Sequence, residues 1–269
     1  MTSPSHGGIE IVRLGQAGFE ISTATTRIAI DPFSSDYPGR LLPAVIDAEE
    51  LASMDAVLVS HEHADHLDLP LLAAMPESHT RVVVPAPLAE RVRHSLPDRE
   101  IVEAHDGDVV TIGDVSITPV AALHGVHMHD AYSFGVDSRG DHPYLGYIIE
   151  IGGRVLFHAG DALDYPELAR RLASANVDTV LLPINGRDAV REALDIVGNM
   201  SASEAADLAA RSGASIVIPM HYDMFAGNPG PVGHFVDVVR YTSPALHVIV
   251  PGLAVPIHLP PVRSTRSQS

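Results

Sequence analysis

The chain has 269 residues, 46% of them hydrophobic, and a formal net charge of −17. It contains no cysteine and no lysine, which excludes disulfides, thiolate metal ligands, Schiff-base lysines and P-loops. The negative charge argues against binding to nucleic acid or anionic lipid, because both require clustered basic residues. We therefore expect a small-molecule substrate and no nucleic-acid partner.

The ends of the chain carry no sign of a targeting or membrane segment. No basic segment followed by an apolar run opens the sequence, and no stretch of about 18 apolar residues occurs in it. These features predict no membrane span and a cytoplasmic location. We expect one domain over residues 9–259, a disordered N-terminal end at 1–8 and a flexible tail at 260–269. A homo-oligomer is compatible with the sequence.

The first predicted elements form a β-meander, with strands at 9–14, 18–22 and 27–31. Apolar runs typical of buried strands then alternate with stretches that have the Leu/Ala spacing of amphipathic helices. The clearest helix is predicted at 201–211, because Ser201 and Glu204 form a capping-box pattern and Gly213 is a stop signal. Two last strands are predicted around Pro251 and Gly252. This alternation indicates an α/β sandwich.

Four of the strand-like runs lead directly into a residue type that binds metals. These residues are His61, His124, Asp161 and His221. In open α/β sheets, sites form beyond the carboxyl ends of strands, so the four residues are expected to meet in one crevice.

The segment SHEHADHLD, residues 60–68, is the richest of these places. On a helix His61 and His63 would point to opposite sides, whereas a loop after a strand can turn both toward one cation. Asp65 and His66 can then face a second cation. Imidazole and carboxylate ligands suit Zn, Mn or Fe. The alternative interpretation is a polar surface loop that happens to be rich in histidine.

The other three residues have alternatives of their own. His124 competes with His127 and His129 for the role of ligand. Asp161 could instead form a turn or cap the helix that follows it. His221 could be a buried histidine with ordinary hydrogen bonds.

The succession SHEHADHLD, ALHG, HAGD and PMHYD resembles the metallo-β-lactamase fold superfamily over about residues 9–259. Within it, AGFEI, AIDPF, VLFHAGD and the segment from GNMSASEAADL to HYDMF resemble the branch that contains L-ascorbate-6-phosphate lactonase. The resemblance implies an α/β fold of one domain, a four-layer αββα sandwich, with a dinuclear metal site between two half-domains. It implies His61, His63 and His124 as ligands of one metal, Asp65, His66 and His221 as ligands of the other, and Asp161 as the bridge.

Two departures from related enzymes bear on the substrate. The third histidine lies in AALHG, whereas thiolesterases of the glyoxalase II type usually carry Gly-His-Thr there. The cysteine ligand of many zinc β-lactamases is absent. Both departures favour a small lactone or related ester over a glutathione thioester or an antibiotic.

The resulting hypothesis is a metal-dependent hydrolase with two divalent ions, Zn or Mn first and Fe as a further candidate. A hydroxide bridging the metals would open the lactone or ester. The first alternative is a phosphodiesterase that acts on a small molecule or phospholipid with the same metals. The second is a regulatory or redox metal-binding protein that hydrolyses nothing.

The remaining assignments concern groups near the metals. The catalytic residues are predicted to be Asp65, Asp161 and His221. The predicted substrate contacts are Asn185, Arg187 and Tyr222. Asp31 and Asp68 are predicted to accept hydrogen bonds from metal-binding histidines.

Residues 125–144 form a long polar loop that we expect to be a lid, with His127, His129 and His142 as further candidate contacts.

Overall fold

The structure is a computed structural model that describes residues 7–262. Within these residues, fourteen strands form two seven-stranded sheets. The first sheet contains β1 (Ile9–Gly15), β2 (Gly18–Ser22), β3 (Arg27–Ile30), β4 (Ala56–Leu58), β5 (Arg81–Pro85), β6 (Ile101–Ala104) and β14 (Pro256–Leu259). The second contains β7 (Val110–Ile112), β8 (Val115–Ala121), β9 (Leu145–Ile151), β10 (Arg154–His158), β11 (Thr179–Pro183), β12 (Ile216–Met220) and β13 (His247–Val248).

Both sheets are mixed and follow the same plan. The first has the order β14-β1-β2-β3-β4-β5-β6, and the second has the order β13-β12-β11-β10-β9-β8-β7. In each sheet an antiparallel meander, β1 to β3 or β7 to β10, continues into parallel strands. Parallel strands need crossover connections, and helices supply them.

Seven α-helices accompany the sheets within residues 7–262. They are α1 (Ala48–Leu51), α2 (Leu69–Ala74), α3 (Ala89–Ser95), α4 (Leu168–Ser174), α5 (Ala189–Glu192), α6 (Ala202–Arg211) and α7 (Val232–Thr242). A 3-10 turn at Ala86–Leu88 precedes α3. No helix in this part of the chain is long and apolar enough to cross a membrane.

Side-chain alternation along the central strands separates two cores. In β4, Leu58 faces the large core between the sheets, whereas Val57 joins a smaller core with Leu51 and Leu72 of α1 and α2. Successive residues of a strand point to opposite faces, so one apolar run supplies both layers. Helices also contribute to the large core on the side of the second sheet, for example through Leu208 of α6. The predicted αββα sandwich of one domain is confirmed.

The local predictions hold with small changes of boundary. The meander is present, but β3 ends at Ile30 because Asp31 has a φ of 45°, which is incompatible with a continuing strand. Helix α6 begins after Ser201, whose side chain forms the predicted capping box with Glu204. Gly213 follows that helix with a φ of 79°, as expected of a stop signal.

The predicted chain ends lie partly beyond the described residues. Residues 1–6 and 263–269 are outside them, and the limits 9 and 259 of the domain stay a prediction. Of the flanking residues that are described, Gly8 is buried. The Val262 N–H donates to the Gly153 carbonyl at 3.0 Å.

Candidate metal centre

The four predicted strand ends converge at one place between the two sheets. The loop that follows β4 carries His61 and His63, and His124 and Asp161 follow β8 and β10. One potential ligand atom of each lies within 4.8 Å of the others, which makes a first metal-binding group. Asp65, His66 and His221 make a second group by the same measure. The structure thus brings together all seven residues that the resemblance implies as ligands.

Asp161 stands between the two groups, and each of its carboxylate oxygens faces a different one. Oδ2 lies 3.7 Å from His124 Nε2 in the first group. Oδ1 lies 3.3 Å from His66 Nε2 and 3.3 Å from His221 Nε2 in the second. A carboxylate in this position can bind two cations at once.

The ring nitrogens of the first group point at a common centre. His61 Nε2 and His63 Nδ1 are 2.8 Å apart, and His124 Nε2 is 3.4 Å from His63 Nδ1. Burial lowers the pKa of His124 to about 3. Burial, together with the neighbouring His66 and His63, also holds the pKa of His61 well below its usual value. Neutral imidazoles keep the lone pair that binds a metal.

Charge compensation differs in the second group. Burial would lower the pKa of His66, but the carboxylates of Asp161, Asp31 and Asp65 raise it well above the usual value. Burial alone would raise the pKa of Asp161, yet His221 and His66 hold it well below the usual value. The buried carboxylates and imidazoles of this group thus favour each other's charged forms.

The outer nitrogens of the histidines are fixed by hydrogen bonds. Asp31 Oδ2 lies 2.8 Å from His66 Nδ1, and Ser60 Oγ lies 2.9 Å from His61 Nδ1. The Val126 carbonyl lies 2.9 Å from His63 Nε2. Such partners hold the ring so that its other nitrogen faces the metal. Asp31 is thus placed as predicted for a residue that supports the ligands.

Two buried polar atoms show that the ligand atoms of the two groups fit divalent cations. His66 Nε2 and Asp161 Oδ1 are buried and have no hydrogen-bond partner among residues 7–262. Buried polar atoms are rarely left in this state. A cation bound between them would satisfy both atoms. Imidazole and carboxylate donors suit Zn, Mn or Fe.

The backbone around the two groups adopts conformations that side chains rarely permit. Asp31 has a φ of 45° and His221 a φ of 59°. Each such residue costs roughly 1–3 kcal/mol and persists only where the surrounding structure enforces it. At Gly160, with a φ of 60°, an added Cβ would lie 2.7 Å from the Ser60 Cβ. The sequence HAGD therefore needs its glycine to bring Asp161 close to the loop of Ser60.

Two polar residues at the centre were missed in the sequence. Gln16, in the turn between β1 and β2, places Nε2 2.6 Å from Asp65 Oδ2 and 3.0 Å from His221 Nε2. His158 is fully buried, and its Nε2 lies 2.7 Å from the Ala17 carbonyl. A polar residue within the apolar meander, as in LGQAGF, was the signal that could have identified Gln16.

Gln16→Asn is expected to weaken metal binding at the second group by on the order of tenfold, because the shorter amide no longer reaches the Asp65 carboxylate that it orients. Asparagine tolerates the positive φ of 49° at this position, so the backbone is retained. Titration of the metal-free protein with Zn or Mn, followed calorimetrically, measures both binding steps. The first step is the internal control. Equal weakening of both steps, or of neither, would contradict this role.

The three predicted substrate residues have different settings, and none of them lines the cavity at the metal centre. Asn185 is buried, donating to the Asn228 side chain at 3.0 Å and accepting from Asn199 at 3.1 Å. Arg187 donates to both carboxylate oxygens of Glu204. Tyr222 is buried, with the Arg13 guanidinium 4.5 Å from its ring centre. The side chains of Asn185 and Arg187 thus already have hydrogen-bond partners within the protein, and a contact with substrate stays a prediction for all three residues.

The ion pair between Arg187 and Glu204 makes a testable contribution to stability. The Arg187 guanidinium, 2.6 and 2.7 Å from the two Glu204 oxygens, lowers the pKa of Glu204 to about 2, with a further contribution from the Ser201 N–H. The stabilisation is therefore present above the ordinary pKa of 4.5 and is lost as the pH falls toward the folded value. Glu204→Gln is expected to lower the free energy of unfolding by about 1 kcal/mol near neutral pH.

Denaturant unfolding of the wild type and the variant across the acid range measures this difference, which should shrink below about pH 4. Glu77→Gln is the matched control, because Glu77 is exposed and makes no ion pair within residues 7–262. A difference between wild type and Glu204→Gln that does not change with pH would contradict the assignment.

Asp68 lies at the start of α2 rather than against a histidine. Its carboxylate accepts from the Leu71 N–H at 3.0 Å as the helix cap. It also accepts from the Ser34 and Ser35 N–H groups at 2.9 and 2.8 Å. Asp68 thus ties the loop after β3 to the end of the SHEHADHLD segment. Direct support of a ligand by Asp68 stays a prediction.

The loop 125–144 runs along one side of the centre and is held at several points. Val126 and His127 line a cavity of about 560 Å³ that reaches His63, Asp161 and His221. His129 stacks on His127, with ring centres 5.5 Å apart. His142 Nδ1 lies 3.3 Å from the Phe134 carbonyl and is not part of the cavity wall. The lid stays a prediction, and only the first residues of the loop reach the cavity.

Asp195 holds His127 and Met128 of this loop by hydrogen bonds. Its carboxylate accepts from His127 Nδ1 at 2.8 Å and from the Met128 N–H at 2.8 Å. Asp195→Gly removes both acceptors, and glycine suits the φ of 61° there. Amide hydrogen exchange of residues 126–131 is expected to accelerate by on the order of tenfold. Asn176→Gly, at another positive φ of 56°, is the control. An unchanged exchange rate in Asp195→Gly would contradict this role of Asp195.

Comparisons with known proteins agree with the geometry. The family model described as Beta-lactamase superfamily domain matches residues 26–222. A UPF0173 metal-dependent hydrolase of Rubrobacter xylanophilus is 28% identical over 254 residues, which cover 91% of this chain and 96% of that protein. The UPF0173 metal-dependent hydrolase TK0141 of Thermococcus kodakarensis is 30% identical over 216 residues, with 80% and 85% covered.

Solved structures show the same fold. Igni18, a metallo hydrolase of Ignicoccus hospitalis, superposes with a TM-score of 0.70 at 19% identity, covering 93% of this chain and 98% of that one. The match to the family model spans most of the sandwich and contains all seven residues of the two groups. The chain therefore belongs to the β-lactamase superfamily domain family, and it is a metal-dependent hydrolase of the metallo-β-lactamase superfamily.

Proposed function

We propose that the protein uses two divalent metal ions, Zn or Mn, to open a small lactone or cleave a related ester. The observation that carries this proposal is the position of Asp161, whose two oxygens face the two histidine groups separately. A single-metal site would need only one of them. The hydrolase relatives support the general class of reaction.

The residues that would hold the two metals are those of the two metal-binding groups. His61, His63 and His124 would hold one ion. Asp65, His66 and His221 would hold the other ion, and Asp161 would contribute one oxygen to each. When bound, such a pair polarises a carbonyl oxygen and lowers the pKa of water. Ser60 and Asp31 hold the rings of His61 and His66 in the orientation that this requires.

The cavity gives a substrate direct access to this centre. Its wall includes His63 and Asp65 at the inner end, next to Asp161 and His221. The catalytic residues predicted from the sequence, Asp65, Asp161 and His221, are thus all in its lining. A carbonyl group that enters the cavity therefore reaches both groups of ligands.

The test compares reaction classes with one preparation of metal-loaded protein. Base uptake at constant pH measures opening of simple lactones, and a chromogenic phosphodiester measures phosphodiesterase activity in parallel. We expect turnover of lactones or esters that disappears after chelation and returns with Zn or Mn. Turnover of the diester alone would replace the proposal by the phosphodiesterase alternative. Inactivity on both with full metal occupancy would favour a non-hydrolytic protein.

A further inference from the structure

The cavity that reaches the metal centre has apolar walls on two sides. On one side Tyr37 and Phe225 pack edge to face, with ring centres 5.7 Å apart. On the other side Leu194, Ile196 and Val197 follow helix α5. Leu194 is 69% exposed and Tyr37 is 49% exposed. Large apolar side chains that remain exposed around a cavity are typical of a surface that a ligand covers.

No arginine of residues 7–262 lines this cavity, and the chain has no lysine. The acidic side chains in its wall are Asp65 and Asp161, which would be bound to the metals, and Asp195, which belongs to neither metal group. The exposed histidine of the wall, His127, is paired with Asp195. Away from the metals, the wall therefore offers no arginine or lysine that could pair with an anionic substituent of a substrate.

The arginines near the cavity have their donors directed elsewhere. Arg40 donates to the carbonyls of Leu42, Ser35 and Phe33, at 2.8, 2.9 and 3.2 Å. These bonds hold its guanidinium within its own loop.

Arg191 is engaged in the same way. It donates to Asp188 at 2.6 Å, to the Asn185 carbonyl at 2.8 Å and to Asn228 at 2.7 Å. Arg187 is committed to Glu204, as described above. Phosphate recognition normally uses an arginine whose guanidinium can turn to the ligand. The guanidinium groups of Arg40, Arg191 and Arg187 are instead held by hydrogen bonds within the protein.

From these walls and charges we infer that the substrate carries an uncharged, apolar group, an alkyl or acyl chain, beside its scissile bond. Tyr37, Phe225 and Leu194 contact this chain, while the ester or lactone carbonyl lies at the metal centre. A phosphorylated or carboxylated substituent does not fit the same walls. The inference rests on the proposed function for the carbonyl end and on the cavity walls for the chain.

A binding experiment tests the inference without any turnover. The probes are straight-chain alkyl hydroxamic acids, whose head group chelates metals, with tails of increasing length. Calorimetry with the metal-loaded protein should show affinity that rises about fourfold for each added methylene until the cavity is filled. A probe of equal length that ends in a carboxylate should bind on the order of tenfold more weakly than its methyl-terminated counterpart.

A variant pair assigns the effect to the cavity. Leu194→Arg should reduce the increase in affinity for each added methylene. It should also raise the affinity for the carboxylate-terminated probe several-fold. Val109→Arg is the matched control, since Val109 is 63% exposed, undergoes the same charge change and does not line the cavity. This control should behave as the wild type does.

The outcomes separate the inference from the proposed function. Affinity that does not depend on tail length, or a carboxylate end that binds as well as a methyl end, overturns the inference even if lactones are hydrolysed. A clear dependence on tail length that Leu194→Arg removes supports it, even if the lactone assay is negative and the proposed reaction is therefore wrong. Equal effects of Leu194→Arg and Val109→Arg also overturn it.

Discussion

Asp161→Ala is expected to leave less than about one divalent metal per chain, where the wild type binds about two, and to reduce hydrolysis by on the order of 10³-fold. The physical reason is the shared position of this carboxylate. Oδ2 faces His124 and Oδ1 faces His66 and His221, so one substitution removes a ligand from both ions. Elemental analysis of purified protein after growth with added Zn or Mn measures the content directly.

Asp164→Ala is the control for this substitution. Asp164 lies three residues further along the same loop but pairs with Arg211, outside both groups. Its metal content should equal that of the wild type. Full metal content in Asp161→Ala would contradict the bridge. Loss of only one ion would assign Asp161 to a single group.

The sandwich explains why one residue can serve both groups. His61, His63, Asp65 and His66 come from the loop after β4 in the first sheet, whereas His124, Asp161 and His221 come from the second sheet. Both groups therefore contain ligands from both sheets. Metal binding would join the two halves, so we expect the metals to contribute to stability as well as to chemistry.

Much of this arrangement was accessible from the sequence. Apolar strands that end in His or Asp indicate residues gathered at one edge, and the order of the motifs adds the likeness to a known superfamily. The meander and helix α6 followed from local patterns. Helix α7 was not predicted, because its segment VGHFVDVVRYT is rich in β-branched residues, which favour strands when read locally. Packing of Phe235 and Val239 into the core decides in favour of the helix.

Other features depend on contacts between distant parts of the chain. Arg187 follows an apolar run and suggested a substrate contact, but the folded chain places the Glu204 carboxylate against its guanidinium. Gln16 is 49 residues from Asp65 in sequence and meets it only when β1 and β4 lie in one sheet. Local patterns carry no information about such pairings. The walls of the cavity come from separate loops and were unpredictable for the same reason.

Asp31→Asn is expected to weaken metal binding at the second group by about 10- to 100-fold. Asp31 is fully buried and accepts from the Ser60 N–H at 2.7 Å, from Ser60 Oγ at 2.6 Å and from His66 Nδ1 at 2.8 Å. An amide can keep the first of these bonds, but its NH₂ group then faces His66 Nδ1. The imidazole must in response carry its proton on Nε2, the atom that faces Asp161 at 3.3 Å. A protonated Nε2 has no lone pair for a metal.

Three measurements separate this tautomer effect from a general loss of structure. Metal titration gives the affinity, ¹⁵N NMR of the imidazole gives the protonated nitrogen, and denaturant unfolding of the metal-free protein should show a loss of about 1–3 kcal/mol. Asp55→Asn is the control, because Asp55 accepts from the Arg27 N–H at 2.8 Å away from both groups. A variant that binds the second metal normally, or keeps its proton on Nδ1, would show that Asp31 does not set the orientation of His66.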